Sequence, residues 1–336
     1  MKKRIFSIFA ITILCFSLSS CAFIQKYSEK KQIVTTLYPQ YDMACKIIGD
    51  NPETKNLFDV TMIVRPGQDS HTYDPSIEDI ITIKNADIFI YTSNEMETWV
   101  SDIDFSSKTE VINLSESDDI VLLKVEEEHE EESSGYEHHH SHSYDPHYWV
   151  YPPYAISMVK QIKDAISKSL KDPYGNINLV LEENATQYIN QLTKIDEDIK
   201  MLVKNAKNTT MYFGAPFAFY YFAYYYGLKY ELVYATCSTE TEPSVETLIA
   251  IIDKMRKENI DVIFSKELVN DEACQMIANH TGAIILELHS GHNVSALDFN
   301  NPNVSYITIM RQNLVNLAKM LKVDQNIIDQ IEQEVQ

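Results

Sequence analysis

LEENATQYINQLTKIDEDIKML, residues 181–202, places apolar side chains at Leu181, Ala185, Tyr188, Leu192, Ile195, Ile199 and Leu202. The steps alternate four and three, which puts all seven on one seam of a helix. Roughly 25 residues at 1.5 Å each span close to 40 Å, long enough to cross two domains. With only about three heptads and no second helix of this kind, a coiled coil is the weaker reading. On either side of the helix the sequence changes period. Upstream, strand-like runs at Gln32–Tyr38, Phe58–Val64, Ala86–Thr92 and Glu110–Leu114 alternate with helical patterns that start at Pro39, Pro75 and Glu97. Downstream, strands at Thr209–Phe213, Tyr230–Ala235, Asp261–Ser265 and Ala283–Leu288 alternate with helices over Phe217–Tyr226, Pro243–Lys257, Asp271–His280 and Val304–Leu321. Such alternation predicts βαβ units with parallel sheets. The expected fold is α/β: two βα-repeat domains joined by one long backbone helix. No internal sequence repeat is evident.

The chain has 336 residues, 45% hydrophobic and 23% charged, with a formal net charge of -21. That length accommodates two domains with a sizeable core. The acidic balance argues against nucleic acid, which needs a basic footprint, and it draws in cations. Lys2, Lys3 and Arg4 precede an apolar run from Ile5 to Leu18, too short and wrongly flanked for a membrane span. The run ends in Leu18-Ser19-Ser20-Cys21, which resembles a bacterial lipobox. That resemblance implies a signal peptide over 1–20, cleavage before Cys21 and diacylation of its sulfur. Two acyl chains anchor a protein stably, so the mature chain is expected outside the cytoplasmic membrane. Residues 21–31 read as a tether. Cys45, Cys237 and Cys274 remain, an odd number that leaves at most one disulfide.

A second stretch, EEEHEEESSGYEHHHSHSYDPHYW over 126–149, holds six of the ten histidines. His129, His138, His139, His140 and His142 lie in an acidic, His-rich loop over 126–142, a compositional sign of metal binding. Flexible ligands are ordered only at an entropic cost, so that loop reads as an auxiliary collector. His147 is better held, because Pro146 stiffens its approach and the apolar Tyr148-Trp149-Val150 anchors it on the other side. His71 lies in a Pro/Gly-rich loop just past a strand. His289 and His292 follow the strand AIILEL in HSGHN. Ligands of open α/β sheets sit beyond the carboxyl ends of strands, and convergence of these loops would create a nitrogen-rich site suited to zinc.

The motifs PGQDSHTYDPS around His71, ADIFIYTSNEMETW, the acidic His-rich loop, DPHYWVYP around His147, AFYYFAYYYGL, TETEPS and SYITIMRQNLVNLAKML together resemble the zinc and manganese binding proteins of bacterial ABC importers, the ZnuA-like group (cluster A-I). The resemblance runs from about Gln32 to the C-terminus. It implies an N-terminal α/β domain over 32–172, a linking helix over 173–206, a C-terminal α/β domain over 207–336, and one metal site in the interdomain cleft. It also implies a monomer that delivers Zn²⁺ to an ABC permease and is not an enzyme. H-E-x-x-H and G-x-S-x-G are both absent. One position departs. The family usually carries a histidine shortly before the AFxY segment, where this chain has Pro216, which cannot ligate a metal. The family's last site position, often acidic, falls at His289. The expected ligands are therefore His71, His147 and His289, with His292, Glu240 or a water as the fourth. Manganese or iron on the same scaffold is the alternative cargo, and a secreted zinc hydrolase the rival class.

Overall fold

The computed structural model describes residues 30–124, 144–170, 175–234 and 243–335. The signal peptide, Cys21, the His-rich loop with His129, His138, His139, His140 and His142, Cys237 and Glu240 lie outside the described residues. The first half alternates β1 (Lys31–Thr35), α1 (Tyr38–Ile48), the single turn α2 (Pro52–Lys55), β2 (Phe58–Met62), α3 (Ile77–Lys84), β3 (Ile88–Tyr91) and β4 (Glu110–Asn113). Every strand pairing is parallel, in the order β2-β1-β3-β4. Strand β3, IFIY, is buried along its whole length, as strands covered on both faces must be. Helix α4 (Pro152–Ser169) closes this half.

The long helix comes next as α5 (Gly175–Lys204). All seven seam residues from Leu181 to Leu202 are buried. The seam packs on α1 and α4 of the first half and on the helix Tyr306–Met320 of the second half. Burying a Leu or Ile stabilises by about 1.5–3 kcal/mol, so this one stripe fixes the helix against both halves. A buried carboxylate adds direction. Asp42 of α1 accepts from the Tyr188 hydroxyl at 2.8 Å and from the Tyr306 amide at 3.2 Å.

The second half comprises β5 (Thr210–Phe213), α6 (Tyr220–Tyr226), β6 (Lys229–Leu232), α7 (Val245–Glu258), β7 (Val262–Ser265), α8 (Glu272–Thr281), β8 (Ile284–Glu287), α9 (Ala296–Phe299), α10 (Tyr306–Met320) and α11 (Gln325–Val335). Its sheet is again parallel, in the order β6-β5-β7-β8. The two halves share one strand order although their sequences show no repeat.

Two local expectations change. The segment from Glu97 forms only a 3-10 turn, Thr98–Asp102. The Glu97 carboxylate turns inward, accepting from the Thr36 hydroxyl at 2.5 Å and from the Thr92 and Ser93 amides at 3.2 and 3.0 Å, so it ties the β3 loop rather than opening a helix. The helix expected from Phe217 starts at Tyr220. Phe217 and Phe219 instead pack on Phe213, at ring distances of 4.8 and 5.6 Å. Cys45 and Cys274 are unlinked, and Cys274 is buried.

Candidate metal centre

Parallel sheets send the loops after β2, β4, β7 and β8 to one end of the molecule, and the histidines are on those loops. His71 belongs to the loop after β2. Asp69 accepts from the His71 amide at 2.9 Å, and Gly67, at φ 84, turns the chain. His147 opens the 3-10 turn Tyr148–Val150. The Asp145 carboxylate accepts from the His147 amide at 2.8 Å and lies 3.2 Å from its Nδ1. Both side chains are buried. An Nδ1 facing a buried carboxylate carries the proton, which leaves a lone pair on Nε2. That Nε2 stands 3.1 Å from the Nε2 of His71. Two ring nitrogens this close need a shared proton or a cation between them.

The third imidazole comes from the second half. His292 Nδ1 sits 2.7 Å from Glu267 Oε1 and 2.8 Å from Ser290 Oγ. Its ring centroid is 6.2 Å from that of His71, against 5.0 Å for His147 and His71. Burial holds His292 below the ordinary histidine range, with the Lys266 charge acting the same way against Glu267. The ring therefore stays neutral, the form that ligates a metal. Burial alone would raise the Glu267 carboxyl, but the neighbouring His289 and the His292 hydrogen bond outweigh it and hold it well below the usual range. Glu267 also accepts from the Ser290 amide at 2.8 Å and from the Ser290 hydroxyl.

His289 is placed differently. Its Nδ1 accepts from the Gly291 amide at 2.9 Å and stands 3.6 Å from Glu267 Oε2. Its ring lines a cavity of about 270 Å³ with Glu287, Asp298 and Thr308. The hydrogen bonds and ring contacts thus bring His71, His147 and His292 together, whereas His289 faces the other carboxylate oxygen of Glu267. Among the described residues no three His, Cys, Asp or Glu side chains form a closed metal cage. Pro216 is buried in the segment after β5 and offers no ligating atom. A wider depression of about 680 Å³, among Lys30, Lys31, Lys84, Asp87 and Lys108 at the amino ends of the strands, carries no imidazole.

The segment that carries His292 is stitched to the first half. The Asn293 amide donates to the Arg65 and Gln68 carbonyls, both at 2.8 Å. Gly67 donates to the Val294 carbonyl at 2.8 Å and Tyr38 to the His292 carbonyl at 3.2 Å. Trp149 Nε1 donates to the Ser290 carbonyl at 2.8 Å. Sequence reasoning gave no role to Asp145, two residues before His147, or to Glu267 at the end of β7. Their only sequence signal is position, one beside a ligand and the other just past a strand.

Residues 33–320 match the family described as ZnuA, the periplasmic component A of a zinc-uptake complex. This chain belongs to the ZnuA family. It is 31% identical over 316 residues to the high-affinity zinc uptake system protein ZnuA of Bacillus subtilis, covering 94% of this chain and 95% of that one. It is 28% identical over 328 residues to the zinc-binding protein AdcA of Streptococcus pyogenes serotype M6, covering 94% of this chain but 61% of AdcA, so it spans about six-tenths of that relative's length. The crystal structure of the Zn(II)-bound ZnuA-like domain of Streptococcus pneumoniae AdcA superposes with a TM-score of 0.69 at 26% identity, over 87% of this chain and 99% of that domain.

Proposed function

We propose that this chain captures Zn²⁺ between its two halves through Nε2 of His71, His147 and His292 and delivers it to the permease of an ABC importer. The observation that carries the reading is the Nε2 pair of His71 and His147 at 3.1 Å, with one ring fixed from behind by Asp145 and a third, neutral ring held by Glu267. Three imidazoles favour zinc over manganese, which prefers oxygen-rich sites. The Zn(II)-bound pneumococcal domain and the zinc-uptake protein of Bacillus subtilis support the same cargo. Glu240 or a water completes the coordination. Glu267 is committed to Ser290 and His292, so it is not free to act as a general base, and the arrangement suits a carrier better than a hydrolase. The lipobox-like Cys21 and the pneumococcal relatives named zinc-binding lipoprotein support a carrier held outside the cytoplasmic membrane on a lipid anchor. X-ray absorption of the zinc-loaded protein should count three imidazoles. The count should fall to two in H292A and stay at three in H289A. The reverse pattern would move the ligand to His289.

A further inference from the structure

The His-rich segment joins the fold through a neck. Lys124 and Tyr144 pair as a lone antiparallel bridge, and the Asp145 amide donates to the Leu123 carbonyl at 2.9 Å. One side chain from the other half closes this neck. The hydroxyl of Tyr221, on α6, accepts from the Leu123 amide at 2.9 Å and donates to the Asp145 carbonyl at 2.7 Å. Both hydrogen-bonding capacities of the hydroxyl are therefore spent on the two strands of the neck. Its ring is fully buried and stands edge-on to Tyr148 and Tyr154, at 6.4 and 5.9 Å. Burial holds the hydroxyl protonated far above its ordinary range, so it stays a donor. The residue it grips, Asp145, is the one whose carboxylate faces His147 Nδ1.

We propose that Tyr221 is a positioning residue for the metal site: from the second half it clamps the neck, fixes Asp145 and through it orients the His147 imidazole, so that His147 is a full-strength ligand only while the two halves are engaged. The inference rests on the zinc-site reading above. Carboxylates behind a ligating histidine set ring orientation and basicity, and losing one costs about 10–100-fold in metal affinity. Separating the halves breaks both Tyr221 bonds at once and releases Asp145, which couples domain opening to loss of a ligand.

The test is a chelator-competition titration with Zn²⁺ on the purified full-length chain and its variants H147A, D145N, Y221F, D145N/Y221F and Y212F, paired with visible spectra of the Co²⁺-loaded forms. Y212F removes a buried tyrosine hydroxyl that bonds Glu258 at 2.6 Å, well away from the neck, and controls for lost packing and stability. D145N should weaken zinc about 10–100-fold. Y221F should reproduce a large part of that loss and shift the Co²⁺ spectrum, and the double variant should bind no worse than D145N alone. Y212F should leave affinity and spectrum at wild type. A Y221F that matches Y212F in both readouts, or losses from D145N and Y221F that multiply, would overturn the inference. H147A separates the two levels: no loss in H147A sinks the metal-site reading and the inference with it, while a large H147A loss beside a silent Y221F sinks the inference alone.

Discussion

The two halves share one strand order yet supply the metal centre differently. The first half presents His71 and His147 from two loops, with His147 fixed by the adjacent Asp145. The second half presents one imidazole, His292, on a segment whose main chain is bonded to Tyr38, Gly67 and Trp149 of the first half. Its other customary position holds Pro216. On the proposed ligand assignment, loops at corresponding strand ends do unequal work: one half carries two of the ligands, and the other carries one together with the stitch that bonds it to the first half.

That contrast can be broken most sharply with single ligands. H147A and H292A should each weaken zinc by more than about 100-fold, beyond the range for an outer partner. Competition titration checks this, and an intact affinity in H292A would reduce the second half to a lid. The carboxylate behind His292 comes next. E267Q should weaken zinc about 10–100-fold, and its pH behaviour has a defined sign. The folded carboxyl of Glu267 is depressed, so its stabilising contribution is full above the ordinary carboxyl range and is lost as pH falls toward the folded value. His292 is depressed as well. Its neutral form favours the fold above the ordinary histidine range, and that contribution is lost as pH falls through it. The Tm gap between wild type and E267Q should thus be widest near neutrality and narrow in acid. A gap that widens in acid would mean Glu267 is protonated in the fold.

The stitch should matter less to zinc. N293A deletes two buried-side hydrogen bonds to the first half and should cost about 1–3 kcal/mol in denaturant unfolding, with zinc affinity falling by no more than about tenfold. Least affected should be a change beside Pro216. A Cβ at Gly214 would lie 2.5 Å from Cys274 Sγ, so G214A should destabilise by about 1–3 kcal/mol through overpacking while zinc affinity stays at wild type. A large zinc loss in G214A would show that this segment does serve the site.

The long helix and both sheets were legible because each rests on a local period. Leu181 to Leu202 form one seam, and strands such as IFIY are apolar throughout. The 3-10 turn at Thr98 was not legible, since it depends on Glu97 reaching Thr36, 61 residues away. The site was legible as far as its loops. His71 and His147 stand at strand and loop ends where ligands gather. Choosing between His289 and His292 required the backbone. Gly291 turns at φ 76, with the Tyr306 ring 3.1 Å from where a Cβ would sit, and the two rings face different oxygens of the Glu267 carboxylate. Spacing alone carries no such handedness. Asp145 stands beside its histidine in sequence without a pattern of its own, and Glu267 acts only through tertiary proximity, 25 residues from its histidine.

The most direct measurement is a chelator-competition titration of the full-length chain with Zn²⁺ and Mn²⁺, beside a variant lacking residues 126–142. One tight zinc equivalent that survives the deletion, with manganese much weaker, is the expected result and places the site on the cleft histidines of the folded halves. Loss of tight zinc binding together with the His-rich segment would contradict it, because the cleft histidines would then not be the site.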